Sequence, residues 1–149
     1  EKEFPWNYND PTCRRSQSPS FNGLTNARSL ARLAELVRRS HSETDPIALV
    51  SKETFDVCFT PRAAEYDAAV GFELSFTKIG TGYFVRGFGD EEFYGWAGAG
   101  GSLVIFSLRR QITFSFAMNF AYLQPLGDVR TSRLIREVLR IVDERKKKL

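Results

Sequence analysis

Apolar and polar residues recur along this chain with two periods, one helical and one of two residues. Between Thr25 and Arg39 the apolar positions Ala27, Leu30, Ala31, Ala34 and Val37 fall at helical spacing, and Arg28, Arg32, Glu35 and Arg39 take the wet face. Thr25 is the expected cap, since its hydroxyl can satisfy free backbone N–H groups. The polar run from Ser40 to Pro46 ends this helix. A second, short helix is expected from Ser51, with Val50 and Phe55 spaced as a hydrophobic staple and Pro61 closing the segment. Before Thr25, breakers at Pro5, Asn9-Asp10-Pro11, Pro19 and Asn22-Gly23 predict an irregular lead-in over 1–24.

From residue 69 the period is two. Val70, Phe72, Leu74 and Phe76 share one face, with Gly71, Glu73, Ser75 and Thr77 on the other, as in a half-buried strand. Tyr83-Phe84-Val85 predicts a shorter strand, and residues 93–98 lead into a glycine cluster. Ser102 to Leu108 reads as an almost continuous apolar strand, and Ile112, Phe114, Phe116 and Met118 alternate cleanly with polar or small residues. The short Arg109-Arg110 connection makes these two an antiparallel hairpin. A last helix is expected from Asp128, its cap, with the stripe Leu134, Ile135, Val138, Leu139, Ile141 and Val142. The chain thus divides into a lead-in (1–24), a helical part (25–60), antiparallel strands (69–119) and a C-terminal helix (128–149). The fold class is α+β, an antiparallel sheet with helices covering a face.

Composition narrows this little. The chain has 149 residues, 42% hydrophobic and 26% charged, which suits one domain with a real core. No apolar run is long enough to span a bilayer. A net charge of +3 does not argue for nucleic acid, and the run Arg145-Lys146-Lys147-Lys148 suits the negative end of a helix dipole. Cys13 and Cys58 read as free thiols and are too few for a four-ligand zinc site. The single histidine, His41, lies in a polar connection and reads as a solvated loop residue; Asp90, Glu91 and Glu92 read as an acidic surface turn. No metal or organic cofactor is expected. The chain opens with Glu1-Lys2-Glu3 and its one methionine is Met118, so an upstream segment is expected.

The most unusual stretch is Gly95-Trp96-Ala97-Gly98-Ala99-Gly100-Gly101-Ser102. No lysine precedes Ser102, so it is no phosphate loop. It runs into a strand and puts Leu103 where a third fingerprint glycine would stand, so it is no dinucleotide motif. Glycines here allow close approach of another backbone or of a ligand.

Phe93 to Ser102, followed by a strand, an Arg-containing turn and a strand ending Ala117-Met118-Asn119, resembles the C-terminal part of serine β-lactamase-related proteins. That family includes class C β-lactamases, penicillin-binding proteins and related carboxylesterases. Phe21-Asn22-Gly23 leading into Thr25-Asn26-Ala27-Arg28-Ser29-Leu30-Ala31-Arg32 resembles its small-residue loop and following helix, and Leu49-Val50-Ser51-Lys52-Glu53-Thr54 another of its helix starts. The resemblance implies a transpeptidase-like fold and acyl transfer to a serine, with no cofactor. It implies that Trp96-Ala97-Gly98 is the family's [KHW]-x-G triplet and, with Ala99, lines a substrate-binding edge. The Ala99 N–H would be one of two oxyanion-hole donors. Trp96 stands where true β-lactamases carry lysine and cannot pair with a substrate carboxylate, so the resemblance implies a small ester or amide substrate lacking that group.

The remaining signatures, an S-x-x-K helix and a Tyr-x-Asn-type loop, are expected upstream of Glu1. Tyr8-Asn9-Asp10 lies beside Pro11, in a segment that follows the tyrosine loop in the family. No catalytic residue is therefore expected in this chain, which by itself would be inactive. The alternatives are a non-catalytic scaffold or binding protein with a degenerate β-lactamase-like fold, and a small stand-alone α+β binding domain.

Overall fold

The computed structural model describes residues 9–17, 23–63, 65–67, 72–77, 82–84, 92–98, 101–119 and 129–148. Within them lie four helices, α1 (Pro11–Arg15), α2 (Ala27–Arg39), α3 (Lys52–Phe59) and α4 (Val129–Lys146). Six strands accompany them: β1 (Glu65–Asp67), β2 (Phe72–Phe76), β3 (Gly82–Phe84), β4 (Phe93–Ala97), β5 (Leu103–Ser107) and β6 (Ile112–Phe116). The strands pair antiparallel in chain order, β1-β2-β3-β4-β5-β6.

Side chains on successive strand residues point to opposite faces, and this alternation builds two cores. On one face Phe93, Ala97, Leu103 and Ile105 pack with Ile135 and Leu139 of α4, flanked by Ile112 and Phe114. On the other, Tyr94 and Phe106 pack with Phe55 of α3, flanked by Ala34 and Val37 of α2 and by Phe59. The aromatic rings there are close: Tyr94 stacks on Phe106 at 5.4 Å and Phe55 on Phe59 at 4.5 Å. Helices therefore cover both faces of the sheet. The near-continuous apolar run of β5 is the sequence trace of that double burial, since a strand buried on both sides loses its alternation.

Several local expectations shift. The lead-in contains α1: Asp10 accepts from the Thr12 N–H and Pro11 occupies the first helical turn, so the residues read as breakers form a start signal. Asn26, not Thr25, caps α2, its side chain accepting from the Ser29 N–H at 3.0 Å. Ser51 caps α3 as expected, accepting from Thr54 N–H. Glu35 is not on a wet face: it is half-buried between α2 and the sheet, accepting from the Thr113 hydroxyl at 2.6 Å and from Arg38. β1 lies in the stretch between the helical part and residue 69 and pairs with β2. The β5–β6 turn spans Leu108 to Gln111, with Gln111 at φ 57 closing it. On α4 the stripe is only half covered, Ile135 and Leu139 being buried while Leu134 and Ile141 are exposed. Val70, Val85 and Asp128 lie outside the described residues.

Candidate functional site

The site grows out of β4. Its pairing with β3 runs from Phe93 to Gly95, and its pairing with β5 continues through Trp96↔Val104 to Ala97↔Leu103. Gly95 has φ 147, and a Cβ there would lie 2.0 Å from the Val104 carbonyl oxygen. Only glycine permits that approach, so the first glycine of the cluster brings another backbone close rather than a ligand. Beyond it Trp96 shares the α3-side face with Tyr94, and its indole is 48% exposed. Ala97 turns the other way and is buried against α4.

A tight turn then leads into β5. Gly98 N–H donates to the Ser102 carbonyl at 2.7 Å and Gly101 N–H to the Gly98 carbonyl at 2.9 Å. Gly101 is buried with φ 89, a backbone region that favours glycine. Two contacts from outside tie this turn down. The Ser102 hydroxyl accepts from the Met118 N–H at 3.2 Å, and the buried Thr131 hydroxyl of α4 donates to the Gly101 carbonyl at 3.2 Å. Gly98 is half-buried, with Ser102 O at 3.6 Å as the nearest atom to a built Cβ.

Of the expected rim, then, Trp96, Ala97 and Gly98 form one strand end, with the indole outward and the alanine inward. Ala99, the candidate oxyanion donor, lies outside the described residues. Sequence reasoning missed Thr131 and Ser102 as supports. Thr131 had a signal: it precedes Ile135 and Leu139 at intervals of four, which places a hydroxyl on an apolar helix face.

Burial pushes the Tyr94 phenol above its ordinary value, with the Glu92 carboxylate adding to the shift, so this tyrosine stays protonated. His41 is half-exposed in the turn after α2, edge-on to Phe55 and 3.9 Å from Asp56. Cys13 and Cys58 are free thiols. Among the described residues no three His, Cys, Asp or Glu side chains cluster as a metal site, and no helix is long and apolar enough to cross a membrane.

One S-x-x-K spacing does occur within this chain, although the motif is expected upstream of Glu1. Ser75-Phe76-Thr77-Lys78 has that spacing. Ser75, however, lies on β2, paired with Tyr83. The motif works on a helix, where residues three apart share a face, and Ser75 is on a strand. Lys78 itself lies outside the described residues, as do Tyr8, Asp90 and Glu91.

No protein-family model matches the sequence, and a search of curated proteins returns no match. Solved structures do match. A novel penicillin-binding protein homologue from Caulobacter crescentus is similar over 85% of this chain, at 26% identity and a TM-score of 0.74. A family VIII carboxylesterase is similar over 89% of it, at 22% identity and a TM-score of 0.77. The chain spans only 34% and 36% of the length of those two proteins. The extent and quality of this structural agreement show that the chain has the serine β-lactamase-related fold.

Proposed function

We propose that this chain is the C-terminal portion of a β-lactamase-related serine hydrolase, esterase-like more than a true β-lactamase, and that it is inactive by itself. Its part in the reaction is to supply one wall of the cleft and half of an oxyanion hole. An ester or amide carbonyl would dock against the strand end at Gly98, where no side chain stands in the way. The Ala99 N–H would be one donor to the developing oxyanion, and the N–H of a nucleophilic serine upstream of Glu1 the other. Trp96 would offer an apolar, aromatic surface to the acyl or alcohol part of the substrate. The observation that carries this reading is the half-exposed indole at the end of a paired strand, followed at once by a glycine turn that is anchored from beneath.

The two similar structures support the chemistry only as proteins of the same fold; the names of both are compatible with an acyl-serine enzyme. That the described residues hold no S-x-x-K on a helix supports the reading that this chain is inactive by itself. Incubation with a p-nitrophenyl ester and with a chromogenic β-lactam tests this, with no turnover above buffer expected. Turnover that survives purification and is lost on Ser75→Ala would overturn the assignment. Reading the upstream coding sequence separates the enzyme from the scaffold: an intact S-x-x-K followed by a Tyr-x-Asn or Tyr-x-Ser loop supports the former, and their loss the latter.

A further inference from the structure

We propose that Thr131 is a positioning residue for the glycine turn, fixing at Gly101 the segment that opens at Gly98; its role in turnover rests on the function proposed above. Thr131 stands on the first turn of α4, is 1% exposed, and donates to the Gly101 carbonyl from thirty residues away in sequence. Among the described residues the turn is held from within by the Gly101-to-Gly98 and Gly98-to-Ser102 hydrogen bonds and from outside by Thr131 and by the Ser102 hydroxyl on Met118. Glycines impose few conformational limits of their own, so a segment built from them takes its shape from its anchors.

Geometry makes α4 the natural anchor. Ala97, the last residue of β4, packs in the same cluster as Ile135, one helical turn beyond Thr131. The strand end and the helix start are thus fastened by an apolar contact before the turn and a hydrogen bond within it. Removing the hydroxyl leaves the apolar contact of Ala97 with Ile135 in place and takes away the hydrogen bond to the Gly101 carbonyl. A misplaced donor peptide lowers the rate without weakening ground-state binding, because its contact is made to charge that develops in the transition state.

The test uses Thr131→Val, which keeps the side chain's shape, and Thr131→Ser, which keeps the donor. Amide exchange of Gly98 and Gly101 is measured by NMR beside that of α2. The protein expressed with its own upstream coding sequence is assayed for kcat and KM on a p-nitrophenyl ester. Thr131→Val is expected to speed exchange at the two glycines about fivefold to tenfold relative to α2, and Thr131→Ser to restore it. In the extended protein kcat should fall about tenfold with KM within about twofold. Equal acceleration at all amides, unchanged exchange at the glycines, or faster exchange with unchanged kcat overturns the proposal. If the extended wild-type protein has no turnover while the exchange result holds, Thr131 still sets the turn and the function proposed above fails instead.

Discussion

Replacing Gly95 by alanine tests the close approach of β4 and β5 that carries the rim. The added Cβ would lie 2.0 Å from Val104 O, 2.8 Å from Ile105 Cα and 2.9 Å from the Val104 carbonyl carbon, where ordinary contact begins at 3.4 Å. All three atoms are backbone, so no flexible side chain can yield. Holding a non-glycine residue in such a conformation costs about 1–3 kcal/mol. Relief of the clash requires β4 to part from β5 around Gly95↔Ile105, which loses one or two ladder hydrogen bonds at about 1 kcal/mol each. A destabilisation of about 2–5 kcal/mol follows, a large share of the roughly 5–15 kcal/mol that holds a domain folded. At about 2–4 °C per kcal/mol for a chain of this size, the melting midpoint should drop by about 4–20 °C. Circular dichroism melts of wild type, Gly95→Ala, Gly98→Ala and Gly23→Ala would read this. A Cβ at Gly98 meets only Ser102 O at 3.6 Å and one at Gly23 meets nothing within 4 Å, so both controls should stay within about 2 °C of wild type. A Gly95→Ala midpoint inside the same band would refute the reasoning.

Other outcomes follow from the same structure. Ser40→Ala removes a fully buried hydroxyl that donates to the Leu36 carbonyl and accepts from the Leu49 and Val50 N–H groups, so it should cost about 2–3 kcal/mol in urea unfolding. The hydrogen bond from Arg38, with help from Thr113, holds the Glu35 carboxyl below its ordinary 4.5. Its folded value is the lower one, so its stabilisation is present above about pH 4.5 and is lost as pH falls through the folded value. Glu35→Gln should therefore flatten the acid limb of a stability-against-pH curve; an unchanged limb would contradict the pairing. Among the described residues β6 pairs with β5 alone, and Leu134 and Ile141 of α4 are exposed, so the isolated chain should self-associate. Light scattering behind a sizing column checks this, and a monodisperse monomer with a sharp unfolding transition counts against the fragment reading.

Long, strongly periodic segments were legible from sequence alone. The spacing of Ala27 to Val37 found α2, Ser51 found the start of α3, and the alternation from Ile112 to Phe116 found β6. Short-range ambiguity explains the misses. Asp10-Pro11 signals a break and a helix start equally well, and only the Thr12 contact decides between them. Glu35 looks solvent-facing on a helical wheel because the wheel contains no Thr113, which lies on a distant strand. The face of β4 that holds Trp96 could be inferred, but the burial of Tyr94 on that face depends on Phe55 and Phe59 arriving from α3. Ser75 shows the reverse hazard, where spacing alone matches a helical motif and the serine lies on a strand.

The central claim is that this chain completes the cleft of an acyl-serine enzyme whose nucleophile lies elsewhere in the protein. Mass spectrometry of the protein expressed with its upstream coding sequence, after reaction with a fluorophosphonate, tests it most directly. The account predicts a single adduct on a serine of an S-x-x-K helix before Glu1, with no adduct on the 149-residue chain alone. An adduct on Ser75, or on any other serine of this chain, would contradict it, as would an extended protein that takes up no label.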